Sequence, residues 1–256
     1  MVLPNIVKKA VRAGFRKTVQ VHSALQWREY RYVFILGHMR SGSTVLSHIL
    51  TSHPDFVGAG ETHTEYKTPA DLPKLIPRTC ELLRKIELGD SSYIVDQINH
   101  PYLTDEVLSS PSIYKCIINI RAPEATLRSL MALFGWNEAT ALECYVSRLA
   151  QLSQYGRNLR ERAMVVEYDD LVDQSEGTLA ALTRFLAVNP PFKSEYSKNK
   201  VTGKMGDPSN NIFSGRIIRT KGHERSIGML TIAGAAKAFR KCQLDLLAAG
   251  VATAVK

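Results

Sequence analysis

Tyr32-Val33-Phe34-Ile35-Leu36-Gly37-His38-Met39-Arg40-Ser41-Gly42-Ser43-Thr44-Val45-Leu46 is the stretch that decides the fold. Its first five residues are apolar without a polar break, with charge before them and Gly37 after. A strand with one wet face alternates, whereas a strand covered on both faces does not, so this run predicts an interior strand of a parallel sheet. From Thr44 onward, Val45, Leu46, Ile49 and Leu50 share one helical face, and the helix has to end before His53-Pro54. Between strand and helix, Gly37 and Gly42 frame a turn of small and polar residues. Glycine lets such a turn fold tightly enough for successive N–H groups to point inward. The helix start adds its positive end, and the whole becomes a cradle for a phosphate-like anion.

The same reading extends along the chain. Short strands are expected at Phe56-Val57, Tyr93-Ile94-Val95 and Met164-Val165-Val166, and a longer one from Ile113 to Ile120. Helices are expected from Pro123 to about Phe134, over roughly 138–160 with Leu142, Tyr145, Leu149, Leu152 and Leu159 as the buried stripe, from Glu176 to Leu186, and over about 231–248. Residues 70–88 also read as helical, with Pro73 and Pro77 expected to break or kink them. Residues 189–228 are rich in Gly, Pro, Ser, Asn and Lys and read as loop. Strands alternating with helices predict an α/β fold: a single P-loop-like domain whose central parallel sheet carries helices on both faces. That domain is assigned to residues 29–256, with 1–28 as a basic amphipathic helix or arm.

The loop from Gly37 to Thr44 has the spacing of a nucleoside-triphosphate P-loop except at one place. Ser43 stands where that loop carries the lysine that reaches the outer phosphates. Arg40 instead offers a fixed charge and a planar donor fork. Arg40-Ser41-Gly42-Ser43-Thr44 resembles the 5′-phosphosulfate loop of sulfotransferases that use 3′-phosphoadenosine 5′-phosphosulfate (PAPS), in the form found in tyrosylprotein and many carbohydrate sulfotransferases. The resemblance implies that Arg40, Ser41, Gly42, Ser43 and Thr44 bind the cofactor. A second family element is an Arg ending a strand with a Ser eight residues on, both on the 3′-phosphate; here Arg121 and Ser129 match it. A third is Glu167-Tyr168-Asp169-Asp170-Leu171-Val172, similar to the family's Y-E-D-L-V segment, which implies that Tyr168 packs beside the cofactor.

The resemblance also implies a catalytic base. His53-Pro54-Asp55-Phe56-Val57-Gly58-Ala59-Gly60-Glu61-Thr62 resembles a stretch of the tyrosylprotein sulfotransferases in which Glu61 falls on the catalytic glutamate, with His63 as the rival. A Glu just after the second strand would also lie at the sheet edge that carries the phosphate loop. Arg40 is then the group that steadies charge on the bridging oxygen. Two departures stand out. Asp96-Gln97 occupies the place of an N-K pair that contacts that oxygen in many relatives. Near the C-terminus, Ser214 and Arg219 resemble the tyrosylprotein family's Ser…Lys segment, while Lys221-Gly222 resembles the Lys-Gly of the cytosolic family's 3′-phosphate loop. The two assignments compete for one role, a lid over residues 202–222.

The net charge of +9 is uneven, because the first 28 residues supply six of those charges and no acid. The body is only mildly basic, which suits a small polyanion better than nucleic acid. Leu3, Ile6, Val7, Ala10, Val11 and Phe15 recur at helical spacing among the basic residues of the N-terminal segment. That pattern fits either a helix packed on the domain or peripheral contact with an anionic membrane. The segment lacks the continuous apolar core of a secretory signal. No run approaches the ~18 apolar residues of a membrane span, so a cytoplasmic location, peripheral at most to a membrane, is expected. The four cysteines form no CxxC pair and the histidines show no ligand spacing, so reduced thiols and no metal are expected. The expected activity is sulfuryl transfer from PAPS to an acceptor hydroxyl. A carbohydrate or lipid-linked sugar is favoured as acceptor, with a peptide tyrosine and a small metabolite also open. A P-loop phosphotransferase and a non-catalytic membrane-associated binding protein of the same fold are the alternatives.

Overall fold

A computed structural model describes residues 5–25, 29–204, 210–219 and 222–255. In chain order it contains α1 (Asn5–Leu25), β1 (Arg31–Gly37), α2 (Ser43–Thr51), β2 (Phe56–Gly58), α3 (Leu75–Leu83), β3 (Tyr93–Ile98), α4 (Asp105–Leu108), β4 (Ile113–Ile120), α5 (Pro123–Phe134), α6 (Glu138–Leu159), β5 (Ala163–Glu167), α7 (Tyr168–Asp173), α8 (Ser175–Leu186), α9 (Met229–Ala248) and β6 (Ala252–Thr253). The strands form one sheet in the order β2-β3-β1-β4-β5-β6, and every pairing is parallel.

β1 explains its own composition. Tyr32, Phe34 and Leu36 bury themselves in the core on one face of the sheet, and Val33 and Ile35 do so on the other. Beyond the exposed Arg31 at its start, the strand has no wet face, which accounts for its unbroken apolar run. The first face is covered by α3, α5, α6 and α9, and the second by α2, α8 and the chain around Phe192 and Ile212. After β1 the chain crosses to the edge strand β2, comes back to place β3 between β2 and β1, and then builds β4, β5 and β6 on the other side of β1. β1 therefore sits at the reversal of strand order, where open α/β sheets form a crevice beyond their carboxyl ends.

Proline explains the chain between β2 and β3. Residues Pro69–Lys74 make a 3₁₀ turn that contains Pro73, and α3 starts at Leu75. Pro77 then falls in the first turn of α3, where its missing N–H has no helical partner to lose. The short helices α4 and α7 and the edge strand β6 were not expected from the sequence. Each is too brief for periodicity to register.

In α1, Phe15 and Val19 turn toward the core beside α3, and Arg16 lies 3.2 Å from Glu81. Val11 remains exposed. The second half of this helix is thus packed on the domain. Leu3 lies outside the described residues. No helix among the described residues is long and apolar enough to cross a membrane.

Candidate active site

The phosphate loop takes its shape from two left-handed residues, Arg40 (φ 67°) and Gly42 (φ 87°). At position 42 any side chain would force its surroundings to shift, because a Cβ would sit 2.4 Å from Cδ2 of Tyr168. Gly42 precedes the first residue of α2, and its carbonyl accepts from the N–H groups of Val45 and Leu46. The N–H groups of Ser43 and Thr44 come too early to find an acceptor within the helix, which leaves them for an anion.

Two arginines flank this cradle. Nε of Arg40 donates to Oγ of Ser129 at 2.8 Å, and Nη1 of Arg121 donates to the Arg40 carbonyl at 3.2 Å. The Arg121 guanidinium stacks 4.0 Å from the centre of the Tyr168 ring. The structure thus brings Arg40, Arg121, Ser129 and Tyr168 into one cluster although 128 residues of chain separate the first from the last. His38 locks strand β4 to the loop. The Met39 carbonyl can only accept, so Nδ1 of His38 carries the proton (2.9 Å), and Nε2 accepts from the Arg121 N–H at 3.0 Å. Burial pushes this imidazole down to about 4, with the nearby Arg148 and Arg121 charges adding to the effect, so it is neutral at physiological pH.

Glu61 lies three residues beyond β2 and is 7% exposed. Its Oε2 accepts from Nδ2 of Asn99 at 3.1 Å, and Oδ1 of Asn99 accepts from Oγ of Ser43 at 3.2 Å. The residue in place of the P-loop lysine therefore joins the anion cradle to the carboxylate through a single side chain. The other oxygen, Oε1, is buried and accepts no hydrogen bond among the described residues. The nearest ring nitrogens are Nε2 of His100 at 3.2 Å, too poorly aligned to donate, and Nδ1 of His63 at 3.9 Å.

A cavity of about 240 Å³ connects these groups. Arg40, Gly42, Ser43, Thr44, Arg121 and Tyr168 line one part, and Glu61, His63 and His100 another. Leu133 and Phe134 form a partly exposed apolar lip.

The backbone carrying Asn99 and His100 is fixed from below by Arg148 on α6. This arginine is buried, and it donates to the carbonyls of Gly37 (2.8 Å), Ile98 (2.6 Å) and His100 (3.1 Å), and to Gln151. It ties the ends of β1 and β3 together. Burial lowers its affinity for a proton, yet three oxygen acceptors suit a guanidinium and no neutral group. Asp96 does the same for the Glu61 loop. It accepts from the Thr62 N–H (3.1 Å), the Thr62 hydroxyl (2.9 Å) and the Tyr66 hydroxyl (2.7 Å). Burial nevertheless pushes the Asp96 carboxyl up to about 7. Asp96 thus serves as a loop clamp, and its neighbour Gln97 lines the cavity.

The C-terminal expectations fare differently. Arg219 is not among the residues lining the cavity and pairs with Asp169 at 3.1 Å and with Asp173. Ser214 is exposed, and its hydroxyl donates to the Arg216 carbonyl. Gly222 is exposed, and Lys221 lies outside the described residues. The side chains from this segment that do line the cavity are Asn211, Ile212, Arg216 and Ile218. A bridge between Glu195 and Arg216 pins the segment, as does His48, whose ring joins the Thr44 carbonyl to the Thr202 hydroxyl, each at 2.9 Å.

A family model described as a sulfotransferase family matches residues 32–101, the span from β1 through the phosphate loop and Glu61 to just beyond His100. No curated protein matches the chain.

Proposed function

We propose that the chain, whose residues 32–101 match a sulfotransferase-family model, moves a sulfuryl group from PAPS to an acceptor hydroxyl, with Glu61 as the base. The observation that carries this reading is the line Ser43–Asn99–Glu61. It joins an anion cradle to a buried carboxylate that lines the same cavity.

The residues fit the cofactor. The cradle combines a glycine that Tyr168 leaves no room to enlarge without a shift, two early helix N–H groups, the Thr44 hydroxyl and two guanidinium groups, while the Ser43 hydroxyl proton goes to Asn99. Ser43 and Thr44 would hold the 5′-phosphate, and Arg121 with Ser129 the 3′-phosphate. PAPS, when bound, supplies a sulfuryl group on a phosphate leaving group. Arg40 places positive charge where negative charge grows as that group departs. Glu61 Oε1 takes the acceptor's proton, while Asn99 holds Oε2 and so fixes which oxygen faces the acceptor. The apolar lip of Leu133 and Phe134 beside polar His63 and His100 supports an acceptor with an apolar face and a hydroxyl, as a sugar or a lipid-linked sugar has. The phosphotransferase alternative is weakened by Ser43, and by strand ends that carry Asn99 and Arg121 where a magnesium-binding acid would be needed.

Thermal melting tests the proposal. Adenosine 3′,5′-bisphosphate at about a hundredfold its dissociation constant should add about 2.7 kcal/mol of stability, raising the melting temperature by about 5–10 °C for a chain of this size. Adenosine 5′-phosphate should do much less at the same concentration. Arg121→Ala should remove ~1.5–3 kcal/mol of bisphosphate binding. Equal shifts from the two nucleotides would refute the 3′-phosphate assignment, and a larger shift from ATP with magnesium would favour phosphoryl transfer.

A further inference from the structure

We infer that Glu61, His63 and His100 form a binding site for one zinc-class divalent ion, and that an ion held there suppresses transfer. The second half rests on Glu61 being the base; the first half stands without it.

The candidate ligand atoms, one from each residue, all lie within 4.8 Å of one another. Nε2 of His100 and Nδ1 of His63 are 3.2 and 3.9 Å from Oε1 of Glu61. Tetrahedral zinc with bonds of ~2.0–2.1 Å separates its ligand atoms by ~3.3–3.4 Å. Small side-chain rotations therefore close the site.

The carboxylate is already prepared for such an ion. Glu61 is more than nine-tenths buried, and its Oε1 lacks a hydrogen-bond donor among the described residues, so it brings uncommitted lone pairs to within 3.2 and 3.9 Å of two imidazole nitrogens. Asn99 holds the other oxygen, and Arg148 holds the His100 carbonyl. Such outer partners are what orient metal ligands elsewhere. His63 and His100 are both partly exposed to the cavity, which gives an ion an entry path and leaves the fourth position open.

The donor set selects the ion. Two imidazoles and one carboxylate suit zinc or its neighbours and not magnesium or calcium, which take oxygen ligands. Arg40 and Arg121 line the same cavity and repel cations in general, so bonding to nitrogen has to supply the affinity. An ion on Oε1 occupies the lone pair that would take the acceptor's proton, so bound zinc and turnover exclude one another.

Titration calorimetry of the chelator-stripped full chain with zinc chloride tests the site, with magnesium chloride as the control. We expect one zinc per chain and no heat from magnesium. His100→Ala and His63→Asn should each weaken zinc about tenfold or more; Asn is chosen because position 63 has φ 55°. Melting curves near that of the native chain verify that the variants are folded. Turnover of the native enzyme should fall in proportion to zinc occupancy and return on adding chelator. Absence of zinc binding, or unchanged binding in the double variant, would overturn the site. Turnover that persists or rises at full occupancy would overturn the inhibition. Zinc bound as expected by a chain that turns over no acceptor would support the site and count against the proposed function instead.

Discussion

Replacing Arg148 with methionine keeps most of the aliphatic volume and removes the guanidinium that spans the ends of β1 and β3. Three backbone carbonyls, at Gly37, Ile98 and His100, lose a charged donor. A hydrogen bond from a charged group contributes ~1.5–3 kcal/mol, but the three share one side chain whose burial is itself costly. A net loss of about 2–4 kcal/mol is expected, equivalent to roughly 5–15 °C in melting temperature at this chain length. Arg148→Lys separates charge from shape: one ammonium cannot reach three carbonyls set apart across two strand ends, so it should recover only part of the loss. In the folded fraction, the chain carrying Asn99 and His100 loses the bonds at Ile98 and His100, while the phosphate loop loses only the one at Gly37. The turnover number should therefore fall more than the response to adenosine 3′,5′-bisphosphate. Chemical denaturation with melting in the presence and absence of the nucleotide measures both. The reasoning fails if Arg148→Met loses less than about 1 kcal/mol, or if Arg148→Lys matches the native chain.

Glu61→Gln keeps the shape and the Asn99 contact but removes the proton acceptor. The turnover number should drop by ~10²–10⁴-fold with nucleotide binding nearly unchanged, and near-native turnover in Glu61→Gln together with its loss in His63→Ala would move the base to His63. Gly42→Ala forces a Cβ to within 2.4 Å of Tyr168 at a left-handed φ, so a destabilisation of about 2–4 kcal/mol and a weakened nucleotide response are expected; a native-like melt would show the loop to be more yielding than its geometry implies. Two buried groups set opposing pH dependences. Asp96, pushed up to about 7 from an ordinary value near 4, holds a proton that the unfolded chain releases, so its contribution is full below about pH 4 and drains away up to about pH 7. His38, pushed down to about 4, refuses a proton that the unfolded chain takes up near pH 6.5, so its contribution is full above that and lost as pH falls toward 4. Between pH 4.5 and 6.5 the two slopes, each up to about 1.4 kcal/mol per pH unit, should largely cancel. Asp96→Asn should uncover a stability that rises with pH across that window, and an unchanged slope in denaturation experiments would count against the assignment.

Much of the site was readable from local pattern because the cradle is a local object. A strand buried on both faces, a Gly-framed turn and an amphipathic helix lie within twenty residues, and each leaves its own mark on composition. Glu61 was legible for a related reason: it follows a strand that pairs in the same direction as β1, so its loop emerges at the same edge. Asn99 and His100 left no such mark. They reach Glu61 only because β2 and β3 are neighbours, and pairing between strands 35 residues apart is not written in either segment. Arg148 did leave a trace. It falls three residues after Tyr145 and four before Leu152, on the face read as an apolar stripe, and a charge there signals a buried clamp. Beyond residue 200 the chain has neither periodicity nor a long strand to fix its direction. The partners of Arg219, Asp169 and Asp173, lie some fifty residues back in the chain, and nothing in its own segment announces them.

The position of Glu61 also explains why so many polar groups are buried beneath the site. A carboxylate three residues beyond a three-residue edge strand has little regular structure to steady it. Its rigidity is borrowed from Asn99 directly, from Asp96 through Thr62 and Tyr66, and from Arg148 through the backbone of His100. Each of these groups is buried against its electrostatic preference, as the displaced proton affinities of Asp96 and Arg148 record. Apolar residues of similar size at those positions would often leave a protein as stable or more so. What they could not do is anchor the loop that carries Glu61 and keep its Oε2 on Asn99. The polar layer under this edge of the sheet is therefore better explained by the placement of one carboxylate than by stability.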